Sequence, residues 1–327
     1  MLTLRRGRIT AVLSRDDGLA RVEVDGSPCI AYPRLTGPVA LDDEVIVNVQ
    51  ARELELGSGG FDVLYVNLTR GLELAGPTGA HVMKLPYTPV QAAARHAEED
   101  RDLPETLAGL PVVCCSLHSQ LAPVCAGIGE GFRVAYVQLP GGALPVSLSD
   151  TLRELRARGL LHVAVAVDAC VDADVHCVTA ASALLWCAAE AFDVVVCAIG
   201  PGVVGTGSSF GHGGLAAATA AQAAAALGGR AILAVRASEA DPRERHRGVS
   251  HHVRDVVRLC GADAVAAWPS GMDAPAWLAP REEVNVHGWE IACAGLPLSH
   301  MGRGVTDDPL FFEAAFAAGR LARPSRP

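Results

Sequence analysis

The rhythm of apolar and polar positions changes twice along the chain. Residues 7–13, 19–24, 44–49 and 63–68 are short runs of alternating or β-branched side chains. The turn signals Asp16-Asp17-Gly18 and Asp25-Gly26 separate the first of them. With residues 54–56 and the stretch Gly57-Ser58-Gly59-Gly60, they predict a small β-barrel-like domain over residues 1–70. Pro28, Pro33 and Pro38 suit its edges and loops. Residues 71–107 read as a linker. In it, Thr88-Pro89 is a helix start signal, predicting a helix to about Asp100.

From residue 108 to residue 275 the pattern alternates strand and helix. Strands are predicted over 112–117, 133–139, 161–167, 194–199, 231–235 and 264–268, and helices over 121–128, 149–158, 182–190, 215–227 and 251–260. Gly159, Gly228 and Gly261 stand where helices end in a left-handed residue. The strands lack polar alternation, as expected when both faces of a sheet are covered. The reading is an α/β, Rossmann-like, doubly wound parallel sheet with an N-terminal small β-barrel-like domain. Residues 276–327 read as a C-terminal cap and tail, with a strand over 290–294, a helix over 309–318 and a frayed end from Arg320.

Composition narrows the function classes. Half of the 327 residues are apolar but only 5% are aromatic, so the core must be built from Val, Leu and Ala. A net charge of −9 argues against a nucleic-acid partner, which needs a basic face. No uninterrupted apolar run is long enough to span a membrane. The ten cysteines are scattered, without a Cys-x-x-Cys, and read as buried reduced thiols of a cytoplasmic protein. Of the 27 basic residues, all but Lys84 are arginine. A lysine that survives such a bias marks a position where a compact, more easily deprotonated ammonium is wanted.

In an open parallel sheet, ligands bind beyond the carboxyl ends of the strands. The strand predicted over 194–199 runs into Gly200, Gly202, Gly205, Thr206, Gly207 and Ser208, followed by Gly211, Gly213 and Gly214 and an alanine-rich helix. Such a turn brings backbone N–H groups and a helix N-terminus toward an anion. It fits none of three known templates. Gly200-Pro-Gly202-Val-Val-Gly205 matches the dinucleotide pattern literally, but the loop is long and the next strand ends in Arg236 rather than an acid. The phosphate loop of nucleoside triphosphatases requires a lysine after Gly207, where Ser208 stands. Gly207-Ser208-Ser209-Phe210-Gly211 resembles a nucleophile elbow, but its serine comes too far past the strand.

One βα unit later, residues 236–258 concentrate charge. Arg236, Arg243, Arg245 and His246 are expected to neutralise an anionic ligand. On the helix predicted from His251, Asp255 is one turn away and is expected to hold the imidazole's tautomer. His251 or His118 is the expected proton carrier, and Lys84 a catalytic point charge. The same basic helix is an alternative contact between copies in a homo-oligomer. Eleven histidines are compatible with a divalent metal without defining a ligand set, and the glycine loop is compatible with a nucleotide.

Several strings point to a resemblance. They are His81-Val-Met-Lys84-Leu-Pro-Tyr-Thr-Pro89, Gly200-Pro-Gly-Val-Val-Gly-Thr-Gly207, the spaced Ser238, Asp241, His246, Ser250, His251 and His252, and Met301-Gly-Arg-Gly304 with Asp308-Pro309. The chain resembles a family of uncharacterised bacterial proteins from Gram-positive lineages over nearly its whole length. That family implies no activity, cofactor or catalytic residue. The expectation is therefore a protein that binds, and as an enzyme acts on, a small phosphorylated or anionic metabolite. A non-catalytic ligand sensor or assembly protein is the alternative, and a metal-dependent or serine hydrolase a further one.

Overall fold

The computed structural model describes residues 2–55 and 59–325, so Leu56, Gly57 and Ser58 of the predicted barrel turn and the last two tail residues lie outside it. The chain divides into two compact units, Met1–Arg95 and His96–Pro327.

The first unit holds a closed five-stranded barrel in the order β1-β2-β3-β5-β4. Its strands are β1 (Leu4–Asp16), β2 (Leu19–Val24), β3 (Ser27–Ala31), β4 (Glu44–Asn48) and β5 (Asp62–Asn67). The short helices α1 (Pro33–Thr36) and α2 (Gln50–Glu53) flank β4. Alternation drives the closure: Ala20, Val22 and Val24 point inward with Val45, Val47, Ile9 and Leu64. Two register shifts in β1 let one long strand pair with β4 at its start and β2 at its end. Asp25 and Gly26, both at positive φ (49° and 75°), make the tight β2–β3 turn the sequence signalled.

The helix predicted from Thr88-Pro89 does not form. Residues of that segment instead build a hairpin, β6 (Val82–Lys84) with β7 (Ala92–Ala94), and only a single 3-10 turn follows at Ala97–Glu99. Lys84 is buried in β6, opposite Ala92.

The second unit is built on an eight-stranded parallel sheet. Its first half contains β8 (Pro111–Cys115), α3 (Leu121–Ile128), β9 (Val134–Leu139), α4 (Asp150–Ala157), β10 (Val163–Ala166), β11 (Val175–His176), α5 (Ala180–Ala189) and β12 (Val194–Ile199). The second half contains α6 (Ala216–Ala226), β13 (Arg230–Ala234), β14 (Ala237–Ser238), β15 (Gly248–Val249), α7 (His251–Cys260), β16 (Val265–Pro269), β17 (Arg281–Val284), α8 (Trp289–Ala292) and α9 (Pro309–Ala322). The strand order is β11-β10-β9-β12-β8-β13-β16-β17, while β14 and β15 form a separate two-stranded ladder. All six predicted strands are present. β12 is inserted between β8 and β9, which the order 3-2-1-4-5-6 of dinucleotide-binding sheets does not have.

Alternate residues of each strand feed two cores, one on each face. Val194, Val196 and Ala198 of β12 pack with α3 and α9, and Val195, Cys197 and Ile199 pack with α5, α6 and α7. That is why these strands read as continuous apolar runs. α9 carries Phe311, Phe312 and Phe316, all buried, beneath β8, β13 and β16. It crosses α3 so closely that a Cβ on Gly319 would lie 1.9 Å from the Val124 carbonyl oxygen. The segment 290–294, read as a strand, is mostly helix α8. All ten cysteines are buried. No described helix is long and apolar enough to cross a membrane.

Candidate functional site

The carboxyl ends of β12 and β13 deliver two groups of polar side chains to one edge of the sheet. The first is a lattice of arginines and buried aspartates. Asp241 accepts hydrogen bonds from Arg243 Nε and Nη2 at 2.9 and 2.8 Å, and lies 3.4 Å from Arg303 and 3.6 Å from Arg236. Asp308, at the start of α9, accepts from Ser238 Oγ at 2.5 Å, Arg303 Nε at 3.2 Å and the Glu239 N–H at 3.1 Å. Both carboxylates are fully buried. The Arg243 contact, above all, holds the Asp241 carboxyl well below the usual carboxylate range. Arg236 and Arg243, expected to face a ligand, thus have a structural partner. Three arginines meet two carboxylates, which leaves one positive charge over.

The second group is histidine. Ser250 caps α7, accepting the His252 N–H at 3.3 Å, and its Oγ also meets His246 Nδ1 at 2.7 Å. The His251 and His252 rings are 4.3 Å apart, His246 is 4.7 Å from His251, and His212 stacks on His252 at 3.7 Å. Burial, then the surrounding charges, pushes His246 down to about 3 and His252 to about 2. Hydrogen bonds fix the tautomers. Arg236 Nη1 donates to His252 Nδ1 at 3.1 Å, so His252 carries its proton on Nε2. His251 Nδ1 donates to the Arg245 carbonyl at 3.1 Å, which leaves Nε2 as a lone pair.

Asp255 does not hold His251. Its carboxylate is 3.5 Å from His212 Nε2 and accepts the Phe210 N–H at 3.4 Å. His251 opens the helix with its ring turned back toward residue 245, while Asp255, a turn later, faces the glycine-rich loop.

That loop is a small hairpin rather than a cradle. Thr206 N–H donates to Gly211 O at 2.9 Å, Gly213 N–H to Val204 O at 2.7 Å, and Val204 N–H to Gly141 O at 3.0 Å. These donors are spent within the protein. The Gly213–Leu215 3-10 turn also separates the tip of the loop from α6. Close backbone approach explains several of the glycines. A Cβ on Gly200 would lie 2.1 Å from the Ala143 oxygen, one on Gly142 2.2 Å from the Gly200 oxygen, and one on Gly213 1.9 Å from the Gly141 oxygen. Gly202 and Gly207 are at positive φ (73° and 82°). The Thr206 and Ser208 hydroxyls bond to each other at 2.8 Å, and among the described residues no histidine bonds to Ser208 or Ser209. Arg245 does reach the loop: its Nη2 lies 3.5 Å from where a Cβ on Gly207 would stand.

His118 is a strut. Its Nε2 meets Ser149 Oγ, the cap of α4, at 2.7 Å and its Nδ1 meets the Ile199 carbonyl at 3.3 Å. Burial lowers it to about 4. Lys84 belongs to the first unit. His300 is the residue whose role the sequence least announced. It stacks on Phe311 at 3.8 Å and its Nδ1 meets Ser119 Oγ at 3.1 Å. Burial, with Arg236 and Arg303 nearby, lowers it to about 3. Arg303 and Asp308 had only the Met301-Gly-Arg-Gly304 and Asp308-Pro strings as a signal. Five buried polar atoms at this edge have no hydrogen-bond partner among the described residues: Arg236 Nε, Nδ1 and Nε2 of His212, His251 Nε2 and His300 Nε2. A surface cavity of about 900 Å³ lies at the opposite edge, by Leu110, Pro111 and Asp193, away from all of these groups.

The family described as "Protein of unknown function (DUF3866)" matches residues 28–319. The chain belongs to this family. The DUF3866 match runs from β3 to α9, so it takes in the arginine–aspartate lattice and every histidine of the cluster. No curated protein gives a significant match.

Proposed function

We propose that this DUF3866 protein is an enzyme that holds a small anionic metabolite, phosphate- or carboxylate-bearing, at the Arg236–histidine edge of its sheet and moves a proton with His251. The observation that carries the reading is the set of five buried polar atoms at one strand edge that have no partner among the described residues. Each such atom costs about 1–3 kcal/mol when left unsatisfied, and a packing core does not gather five of them. Arg236 Nε–H is a buried donor on a cation, suited to an anion oxygen. The lattice carries a surplus positive charge, and Arg245 adds a second cation beside the loop. The His251 Nε2 lone pair is an acceptor for the proton of a substrate hydroxyl or of water. The anion is held by side chains here, since the loop's N–H groups are largely committed. Both faces of the parallel sheet are covered, and the proposed ligand edge follows the rule for open parallel sheets.

A thermal-shift series with phosphate, sulfate and small carboxylates tests the reading. A ligand that binds only the folded chain raises Tm, and at a hundredfold excess over Kd contributes about 2.7 kcal/mol. Stabilisation of the native chain at millimolar anion, reduced in Arg236→Gln and retained in His251→Asn, is expected. No shift with any of these anions would overturn it.

A further inference from the structure

The histidine cluster contains a second kind of site. His246, His251 and His252 each offer one ring nitrogen such that the three lie within 4.8 Å of one another. We propose that they bind one divalent transition-metal ion of the zinc class. This inference does not rest on the anion reading, and where the ion is bound it replaces proton transfer by His251, because both use the Nε2 lone pair.

Donors of a tetrahedral zinc site stand about 3.4 Å apart, given zinc–nitrogen distances near 2.0–2.1 Å. The three nitrogens are thus within small side-chain rotations of closing on an ion. Adjacent histidines on a regular helix diverge by about 100°, which would keep such a pair apart. Here His251 and His252 occupy the first turn behind the Ser250 cap, and His251 turns back onto the Arg245 carbonyl.

The outer hydrogen bonds fit. A metal-bound imidazole donates its other N–H to a carbonyl, hydroxyl or carboxylate, which fixes ring and tautomer. His251 does so to the Arg245 carbonyl, and its Nε2 is a buried lone pair with no partner among the described residues. His246 has Ser250 Oγ on Nδ1, which leaves Nε2 for the ion. An all-imidazole donor set selects zinc, copper or nickel over magnesium and calcium, which take oxygen ligands.

His252 departs from that pattern, and the departure is informative. Arg236 donates to its Nδ1, so the proton sits on Nε2. His252 joins the ion through Nδ1 only when Arg236 withdraws, or through Nε2 only when its proton moves to Nδ1, which again requires Arg236 to release that nitrogen. Arg236 is therefore a competitor of the metal, and removing it should tighten metal binding.

The test uses the full chain, stripped with a chelator and titrated with Zn²⁺ by calorimetry and with Co²⁺ by visible absorption. One ion per chain with the intense spectrum of tetrahedral cobalt is expected. His246→Ala and His251→Ala should each weaken zinc at least tenfold, and Arg236→Gln should strengthen it. His287→Ala, an exposed histidine elsewhere, should match the native chain. Absence of saturable zinc uptake by the native chain overturns the proposal without recourse to any variant. So do His246→Ala and His251→Ala chains that bind as the native chain does. The titration is run free of phosphate and sulfate, and the anion series free of metal. Failure of one reading is thereby separable from failure of the other.

Discussion

Asp241→Asn is the most searching single perturbation of the site. The substitution keeps the shape of the side chain and removes the charge to which Arg236, Arg243 and Arg303 all lean. Breaking a buried ion pair from one side costs about 3–5 kcal/mol, because the other charge is left uncompensated. Arg243 has a side chain 36% exposed and escapes to water, so its share is small. Arg303, 16% exposed, keeps Asp308, whereas Arg236, 3% exposed, is left with the neutral His252 ring and no carboxylate. The loss should therefore fall near the lower bound, about 3 kcal/mol, or about 6–12 °C in Tm for a unit of this size. The lattice charge rises from one to two positive charges, so the variant should gain more from sulfate or phosphate than the native chain does. All four tryptophans lie in the second unit, which makes their fluorescence in a urea titration a reporter of that unit alone. A loss under 1 kcal/mol would show that Asp241 does not hold the arginines. An anion response equal to that of the native chain would show that their surplus charge does not face a ligand.

Two further predictions concern the frame around the site. His118 is held at about 4 against 6.5 when free, so the unfolded chain takes up its proton first as pH falls. That share of stability is fully present above pH 6.5 and drains away toward pH 4, up to about 3 kcal/mol at 1.36 kcal/mol per unit. Unfolding titrations of His118→Gln should show a shallower acid slope, and an unchanged slope would refute the assignment. Gly319→Ala sets helix propensity, about 1 kcal/mol in favour, against a Cβ 1.9 Å from the Val124 oxygen. Overpacking of about 1–3 kcal/mol should win, and a stabilised variant in thermal unfolding would show that α3 and α9 part freely.

Local signals were legible wherever the decisive contacts are local. α7 begins and ends where its cap, its Val253–Val256–Cys260 stripe and Gly261 place it. β12 is a six-residue apolar run and forms over the same residues. β11 and β17 escaped notice because an edge strand of two residues, or one reading Arg-Glu-Glu-Val, has no apolar signature. The start signal at Thr88-Pro89 lost to pairing of Ala92–Ala94 with Val82–Lys84, a partner that helix propensity does not see. At the site, spacing along one helix assigned Asp255 to His251, but the carboxylate faces a loop some forty residues earlier. The glycine run was read for what it offers a ligand. Its glycines answer first to the loop carrying Gly141 and Gly142, a contact only the folded chain brings together.

The position of α9 bears on how the protein is made. Its three phenylalanines cover the face of the sheet that holds Val113, Cys115 and Val196, laid down much earlier in the chain. A chain growing on the ribosome therefore displays that face to water until residues 309–322 have emerged. The second unit therefore completes its folding only once α9 has been made, and until then its apolar face is open to misassociation. Asp308, which anchors both Arg303 and Ser238, arrives with the same segment. The candidate site is thus assembled only after Asp308 has been made, and a chain truncated before it would lack the carboxylate that completes its lattice.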